Sequence, residues 1–105
     1  MSHAITKSEA KALFLQHLRD VAQYWDSQKM TSTEKLDGLA FSVLTLLDGS
    51  TMVLPAMDLV LRPHPEDKEY RQTRDENWFE NGMAINDDAM LHEEWYGIKL
   101  HAERK

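Results

Sequence analysis

The first part of the chain has the pattern of an amphipathic helix. Thr6 and Glu9 are spaced as a capping box, in which the side chain of each residue accepts a hydrogen bond from the backbone N–H of the other. Residues suited to a buried face then recur at intervals of three and four, namely Ala10, Leu13, Phe14, His17, Leu18, Val21, Ala22 and Trp25. The pattern predicts a helix from Thr6 to about Gln28.

A second capping box, Thr31 with Glu34, follows after a few residues and predicts a second helix that runs to Leu47. The short connection favours a helical hairpin. Polar residues occupy only a narrow stripe of this helix, so it must be covered on several sides. We therefore expect it to be the central element, ended by Asp48-Gly49-Ser50 because glycine adopts the left-handed conformation of a C-terminal cap.

The apolar period changes after this helix. Residues 51–62 are short runs rich in β-forming residues around Pro55, which predicts a β element of one or two short strands packed on the helices. Pro63-His64-Pro65 ends it and opens a short polar helix that runs to about Arg74. Residues 75–84 are predicted to form a loop anchored on the core by two aromatic residues, Trp78 and Phe79.

The last predicted helix begins at Asn86 or Asp87, with Ile85 and Met90 as a hydrophobic staple. Asp87 and Asp88 would then lie at the positive end of its dipole. Together these elements predict a mainly α (α+β) fold: a helical hairpin, a C-terminal helix and the short β element near residues 51–62. At 105 residues, the chain is expected to be one compact domain with about five flexible residues at each end.

Composition narrows the functional classes. The chain has no cysteine and no apolar run long enough to span a bilayer, so we expect a soluble, cytoplasmic protein that does not bind membranes. Residues 66–94 contain ten acidic and three basic residues, a net charge of −7 within a total of −6. Because clustered Lys and Arg are lacking, direct nucleic-acid binding is not expected. The acidic block favours either a basic partner or simple solubility.

Two histidines are candidates for chemistry. His92-Glu93-Glu94-Trp95-Tyr96 resembles half of an HExxH zinc helix, but Tyr96 stands where the second ligand is required. A surface pair of His92 with Asp88 is the alternative. His64 lies in a rigid turn near carboxylates, without a nucleophile at a known spacing. No phosphate loop, dinucleotide, hydrolase or calcium motif is present. We therefore assign no catalytic residue, metal or cofactor.

Part of the chain resembles a family of small phage and prophage proteins over about residues 31–96. The residues that carry the likeness are Glu34-Lys35, Gly38 to Ser42, Leu47 to Gly49, Leu54-Pro55, His64 to Asp67, Asn77 to Phe79 and Leu91-His92. The resemblance implies a bacterial cytoplasmic setting and an accessory phage role. It assigns no site.

These observations favour a non-enzymatic protein-interaction module whose acidic face binds a host or phage protein. The expected interaction residues are His64, Glu66, Asp67, Trp78, Phe79, Asp87, Asp88 and His92. One alternative is a metal protein or enzyme in which His64 and His92 converge with carboxylates. Another is an acidic DNA mimic. A homodimer is compatible with each of these functions.

Overall fold

The computed structural model describes residues 2–102 and the side chains of residues 2–97. The predicted flexible ends include Met1 and residues 103–105, which lie outside the described residues. Four helices form: α1 (Lys7–Asp26), α2 (Ser32–Leu47), α3 (Asp67–Thr73) and α4 (Leu91–Ala102). The mainly helical class is therefore confirmed. None of these helices, within the described part of the chain, is both long and apolar enough to cross a membrane.

The chain divides into two compact units. The helical unit contains the residues up to Met57 together with those from Met90, and so includes α1, α2 and α4. The acidic unit is Asp58–Ala89 and includes α3. The single domain stays a prediction.

Both predicted capping boxes are present at the starts of α1 and α2. Thr6 Oγ1 accepts from the Glu9 N–H at 3.1 Å, and the Thr6 N–H donates to Glu9 Oε1 at 2.8 Å. Thr31 and Glu34 repeat the arrangement. These backbone hydrogen bonds lower the pKa of both glutamates. Local sequence is therefore sufficient to start the first two helices.

The end of α2 has the predicted glycine cap. Gly49 has a φ of +75°. Its N–H donates to the Leu46 carbonyl, and the Ser50 N–H donates to the Thr45 carbonyl. This is a Schellman motif, and the left-handed residue that it needs is supplied by glycine. The Met57 N–H then donates to the Leu47 carbonyl, so the chain after the cap returns to the end of α2.

Trp25 packs α1 against α2. Its indole Nε1 donates to Ser42 Oγ at 2.9 Å, and its ring lies over Gly38. A Cβ at Gly38 would stand 2.6 Å from two carbon atoms of the ring, so the ring occupies the space that a side chain would need. The hairpin thus depends on a large residue on α1 meeting the smallest residue on α2.

The predicted β element is wrong. Residues 51–62 form no strand, and Val60 makes only an isolated antiparallel bridge with Ala84. The Leu61 N–H donates to the Met83 carbonyl and the Ile85 N–H donates to the Leu59 carbonyl. The extended segment around Val60 therefore pairs with the segment around Ala84, and this pairing covers only a few residues. Proline at both 55 and 63 removes backbone donors that a longer ladder would use.

The predicted start of the last helix is also wrong, because α4 begins at Leu91 rather than at Asn86 or Asp87. The Asn86 side chain is not an N-cap, since its Oδ1 accepts from the Leu59 N–H at 2.8 Å. Asp87 and Asp88 accordingly lie in a non-helical segment, and the proposed staple of Ile85 with Met90 does not form at a helix start.

The packing of Trp25 on Gly38 predicts a specific mutational response. Gly38→Ala adds a methyl group against the ring, and we expect the free energy of unfolding to fall by about 1–2 kcal/mol, because overpacking outweighs the gain in helix propensity. Gly97→Ala is the matched control, since a Cβ there meets nothing within 4 Å. It should stabilise α4 by up to about 1 kcal/mol. Urea unfolding followed by circular dichroism distinguishes the two, and equal stabilisation by both changes would contradict this packing.

Candidate interaction surface

The acidic unit contains nine acidic and four basic residues, a net charge of −5. Six of its carboxylates form no ion pair within the described residues, and all six are exposed: Asp58, Glu66, Glu69, Asp75, Asp87 and Asp88. Of the predicted interaction residues, Glu66, Asp87 and Asp88 therefore present free charge to solvent. Asp67 does not.

Arg71 joins the acidic and aromatic parts of this unit. Its Nε donates to Asp67 Oδ2 at 2.9 Å, which forms an i,i+4 ion pair on α3. Its guanidinium carbon also lies 5.7 Å from the centroid of the Phe79 ring. One cation thus neutralises Asp67 and covers a face of Phe79.

Lys68 holds Trp78 in a similar way. The Lys68 Nζ lies 5.2 Å from the centroid of the Trp78 ring and 3.9 Å from Glu80 Oε1. The Trp78 indole N–H donates to the same Glu80 oxygen at 3.1 Å. The three side chains therefore form a closed surface cluster.

Arg74 repeats the arrangement with Glu76 and Tyr70. Three of the four basic residues of the unit are thus occupied by acidic and aromatic neighbours.

Trp78 and Phe79 are surface residues, so the expectation that they anchor the loop on the core is wrong. Their exposed fractions are 36% and 55%. Phe79 lines a shallow cavity of about 220 Å³ together with Leu61, Arg62 and Pro63. The aromatic rings are supported by cations from α3 on one face, which leaves other ring surface available for contact.

His64 is a turn residue. Its Nδ1 accepts from the Glu66 N–H at 3.1 Å, and its carbonyl accepts from the Asp67 N–H at 2.9 Å. The ring therefore stabilises the backbone turn that leads into α3. This local hydrogen bond accounts for a histidine between Pro63 and Pro65 without a ligand role.

His92 belongs to the helical unit and has a different environment. Its Nδ1 lies 2.7 Å from Asp48 Oδ2, and the two side chains are 18% and 2% exposed. Its ring meets Phe41 edge to face at 5.6 Å. The predicted pair with Asp88 is wrong, because residue 88 precedes α4 and shares no helix face with His92.

Asp48 is the residue whose role the sequence pattern did not predict. Its two carboxylate oxygens accept from the backbone N–H groups of Leu91 and His92 at 2.9 and 2.8 Å, in addition to the His92 ring. Burial by itself raises the pKa of Asp48, but these hydrogen bonds outweigh it and lower the pKa. The carboxylate caps α4 from the end of α2.

Asp37 forms a second polar link between α2 and α4. It accepts from Trp95 Nε1 at 2.8 Å and from the Tyr96 hydroxyl at 3.3 Å. Partial desolvation, followed by the Asp37 charge, raises the pKa of Tyr96. The HEEWY segment, which resembles half a zinc motif, is thus used to pack α4 on α2.

A carboxylate that orients an imidazole is also part of many catalytic sites. A base of this kind needs a nucleophile within hydrogen-bond reach. Among the described residues, the Asp48 carboxylate is the hydrogen-bond partner of the His92 ring, and no group of three His, Asp or Glu side chains is placed to bind a metal ion. The contacts of Asp48 and His92 therefore support a role in capping α4.

Comparison with known proteins identifies no relative. No protein-family model matches the chain, and no curated protein or solved structure is significantly similar to it. Functional inference therefore depends on the geometry of the two units.

Replacing the Asp48 carboxylate should destabilise the helical unit. In Asp48→Asn the amide oxygen can still accept from one backbone N–H of α4, but an NH₂ donor replaces the oxygen that accepts from the other. A buried donor without a partner costs about 1–3 kcal/mol. We expect the free energy of unfolding at pH 7 to fall by about 2 kcal/mol. Chemical denaturation at pH 7 measures this, and an unchanged midpoint would contradict the capping role.

The pH dependence provides a second test of Asp48. Because folding lowers its pKa, the stability that it contributes is complete above the unfolded value of about 3.9 and is lost as pH falls through the folded value. The parent protein should therefore lose stability more steeply below about pH 4 than Asp48→Asn, which cannot titrate at this position. Parallel curves for the two proteins would show that this carboxylate is not responsible.

Proposed function

We propose that the protein is a non-enzymatic interaction module whose acidic unit binds a basic surface of another protein. The observation that supports the proposal is the distribution of charge in Asp58–Ala89. Three of its four cations are paired internally, and six exposed carboxylates form no ion pair within the described residues. The unit therefore attracts a basic surface and repels an acidic one.

The aromatic cluster supports a contact surface rather than charge alone. Trp78, Phe79 and Tyr70 are each at least one-third exposed. Trp78 and Phe79 each lie beside a cation from α3, and Tyr70 lies beside Arg74 at the C-cap of that helix. Rings that are held in place lose little conformational freedom on binding, and aromatic residues are enriched among those that dominate binding energy.

A host or phage protein remains the proposed class of partner, within the bacterial cytoplasmic setting that the family resemblance implies. A basic DNA-binding protein is one form that this partner could take, in which case the acidic unit would act as a DNA mimic. The proposal assigns no direct contact with nucleic acid, since the exposed charge of the unit is negative.

Charge reversal tests the acidic surface. A tagged protein is used to isolate partners from a bacterial lysate, and the affinity of a purified partner is then measured by calorimetry. Glu66→Lys, Asp87→Lys and Asp88→Lys together should weaken binding by about tenfold or more, because complementary charges become repulsive. The effect should diminish at high salt.

The matched control reverses three exposed acids of the helical unit, Asp20, Glu93 and Glu94, to lysine. It changes the net charge by the same amount and should alter affinity much less, since these residues lie outside the proposed surface. Equal loss for both triple variants would indicate a general effect of net charge, and undiminished binding by the first would contradict the proposal.

Removal of an aromatic ring tests the contact surface separately. Phe79→Ala should weaken binding of the same partner by about tenfold or more, as expected for an aromatic anchor. Tyr24→Ala, in the helical unit, is the control because its exposed fraction of 56% matches the 55% of Phe79. Circular dichroism should show both variants folded, and equal affinities for the two would argue against a role for Phe79.

A further inference from the structure

The extended segment around Val60 has one edge without hydrogen-bond partners. Val60 lies opposite Ala84, and the hydrogen bonds on either side of this pair are made by the neighbouring residues Leu59 and Leu61. This is the pattern of a non-hydrogen-bonded antiparallel pair, in which the N–H and C=O groups of the two residues point away from each other. The N–H and C=O of Val60 therefore point outward, and neither has a hydrogen-bond partner within the described residues.

Asp58 and Arg62 continue this edge. Alternate residues of an extended chain direct their backbone groups to the same side, so both residues share the outward direction of Val60. Their backbone groups also have no hydrogen-bond partner within the described part of the chain. The burial pattern has the same period of two, since Asp58, Val60 and Arg62 are exposed, whereas Leu59 and Leu61 are partly buried. Residues 58, 60 and 62 thus form a free edge, which is a template for pairing with another strand.

The sequence of this segment, Asp-Leu-Val-Leu-Arg, is complementary to itself in the antiparallel direction. If two copies pair with Val60 opposite Val60, the remaining opposite pairs are Leu59 with Leu61 and Asp58 with Arg62. Each outward N–H then meets an outward C=O of the other copy. A register shifted by two residues keeps the backbone directions but loses both pairs of opposite charge. Charge therefore selects one register.

Asp58 and Arg62 both have unpaired charge in the single chain. Arg62 is the one basic residue of the acidic unit that forms no ion pair within the described residues, and Asp58 is one of the six exposed carboxylates without one. Opposite charges that face each other across an antiparallel pair stabilise it. The other carboxylates of two acidic units repel at longer range, where physiological salt screens charges beyond about 8 Å.

We propose that a second copy of this chain pairs with the free edge, antiparallel and with Val60 opposite Val60. The contact is isologous, because a two-fold axis passes between the two Val60 residues. Reciprocal backbone hydrogen bonds join the outward residues of the two copies, and an ion pair between Asp58 and Arg62 forms at each end. The inference is independent of the proposed function, because it concerns residues that the tests of the acidic surface leave unchanged and is tested on the protein alone.

Sedimentation equilibrium of the untagged full-length protein tests whether it dimerises. A contact of so few residues is small, and interfaces below about 1,200 Å² belong to weak complexes. The protein should therefore be monomeric at low micromolar concentration and approach the mass of a dimer at about 500 µM in physiological salt. A protein that stays monomeric over this range overturns the proposal.

Charge exchange tests the register. Asp58→Arg places like charges opposite each other at both ends of the pairing, and Arg62→Asp does the same. Each variant alone should dimerise at least about tenfold more weakly than the parent protein. Net charge alone predicts the contrary for Asp58→Arg, which is less negative than the parent and so repels itself less.

A 1:1 mixture of these two variants is the decisive sample. Each copy of Asp58→Arg then faces opposite charge on Arg62→Asp at both ends, so the mixture should recover the dimer. Neither a folding defect nor a change in net charge produces such recovery. The double variant Asp58→Arg/Arg62→Asp is the matched control, since it keeps the composition of the parent and should dimerise like it. A mixture as monomeric as the separate variants overturns the proposed register.

Proline at position 60 tests the backbone hydrogen bonds. Val60→Pro removes the outward N–H and leaves the donors of Leu59 and Leu61 in place. Proline is compatible with an edge whose N–H faces solvent, so the variant should keep the circular dichroism of the parent. It should dimerise at least about tenfold more weakly, because two intermolecular hydrogen bonds are lost. Val60→Thr keeps the N–H and the β-branched shape, and should dimerise within about threefold of the parent. Equal dimerisation of Val60→Pro and the parent would overturn the assignment of this edge.

Discussion

The helical unit depends on one buried carboxylate. Asp48 stands at the C-terminal cap of α2, where the dipole of its own helix is unfavourable for a negative charge. The N-terminus of α4 compensates, because two of its backbone N–H groups and the His92 ring donate to the carboxylate. A charge that would be costly for α2 alone thus fixes the position at which α4 begins, and this position in turn brings Trp95 to Asp37.

The accuracy of sequence-based prediction here depends on the range of the interactions involved. The starts of α1 and α2 and the end of α2 could be predicted because capping boxes and a glycine cap are set by residues within five positions of one another. The start of α4 could not, because its cap is Asp48, which is 43 residues away from Leu91. Asparagine is a common N-cap residue, but the Asn86 Oδ1 accepts from the Leu59 N–H, 27 residues away. Helix-capping propensity alone cannot show whether an Asn or Asp side chain caps the next helix or accepts from a distant backbone N–H.

The same reasoning applies to the candidate site. The net charge of residues 66–94 is evident from the sequence, but the pairing of Arg71 with both Asp67 and Phe79 requires the loop after α3 to return to it. His64 and His92 illustrate the limit further. Both stand near carboxylates in sequence, yet one ring stabilises a turn and the other is held by a distant aspartate. In both cases the partner, rather than the histidine, determines the role.

In the acidic unit, the residues that would attract a partner differ from the residues that would contact it. Exposed carboxylates such as Glu66 and Asp87 act over roughly a Debye length, about 8 Å at physiological salt, and are screened as salt increases. The cations beside Trp78 and Phe79 act at short range, where ring and cation shield each other from solvent. In the proposed complex, the exposed carboxylates would attract the basic partner, and the exposed ring surfaces of Trp78 and Phe79 would contact it. Since salt weakens the first set more than the second, the rate of association should be more sensitive to salt than the rate of dissociation.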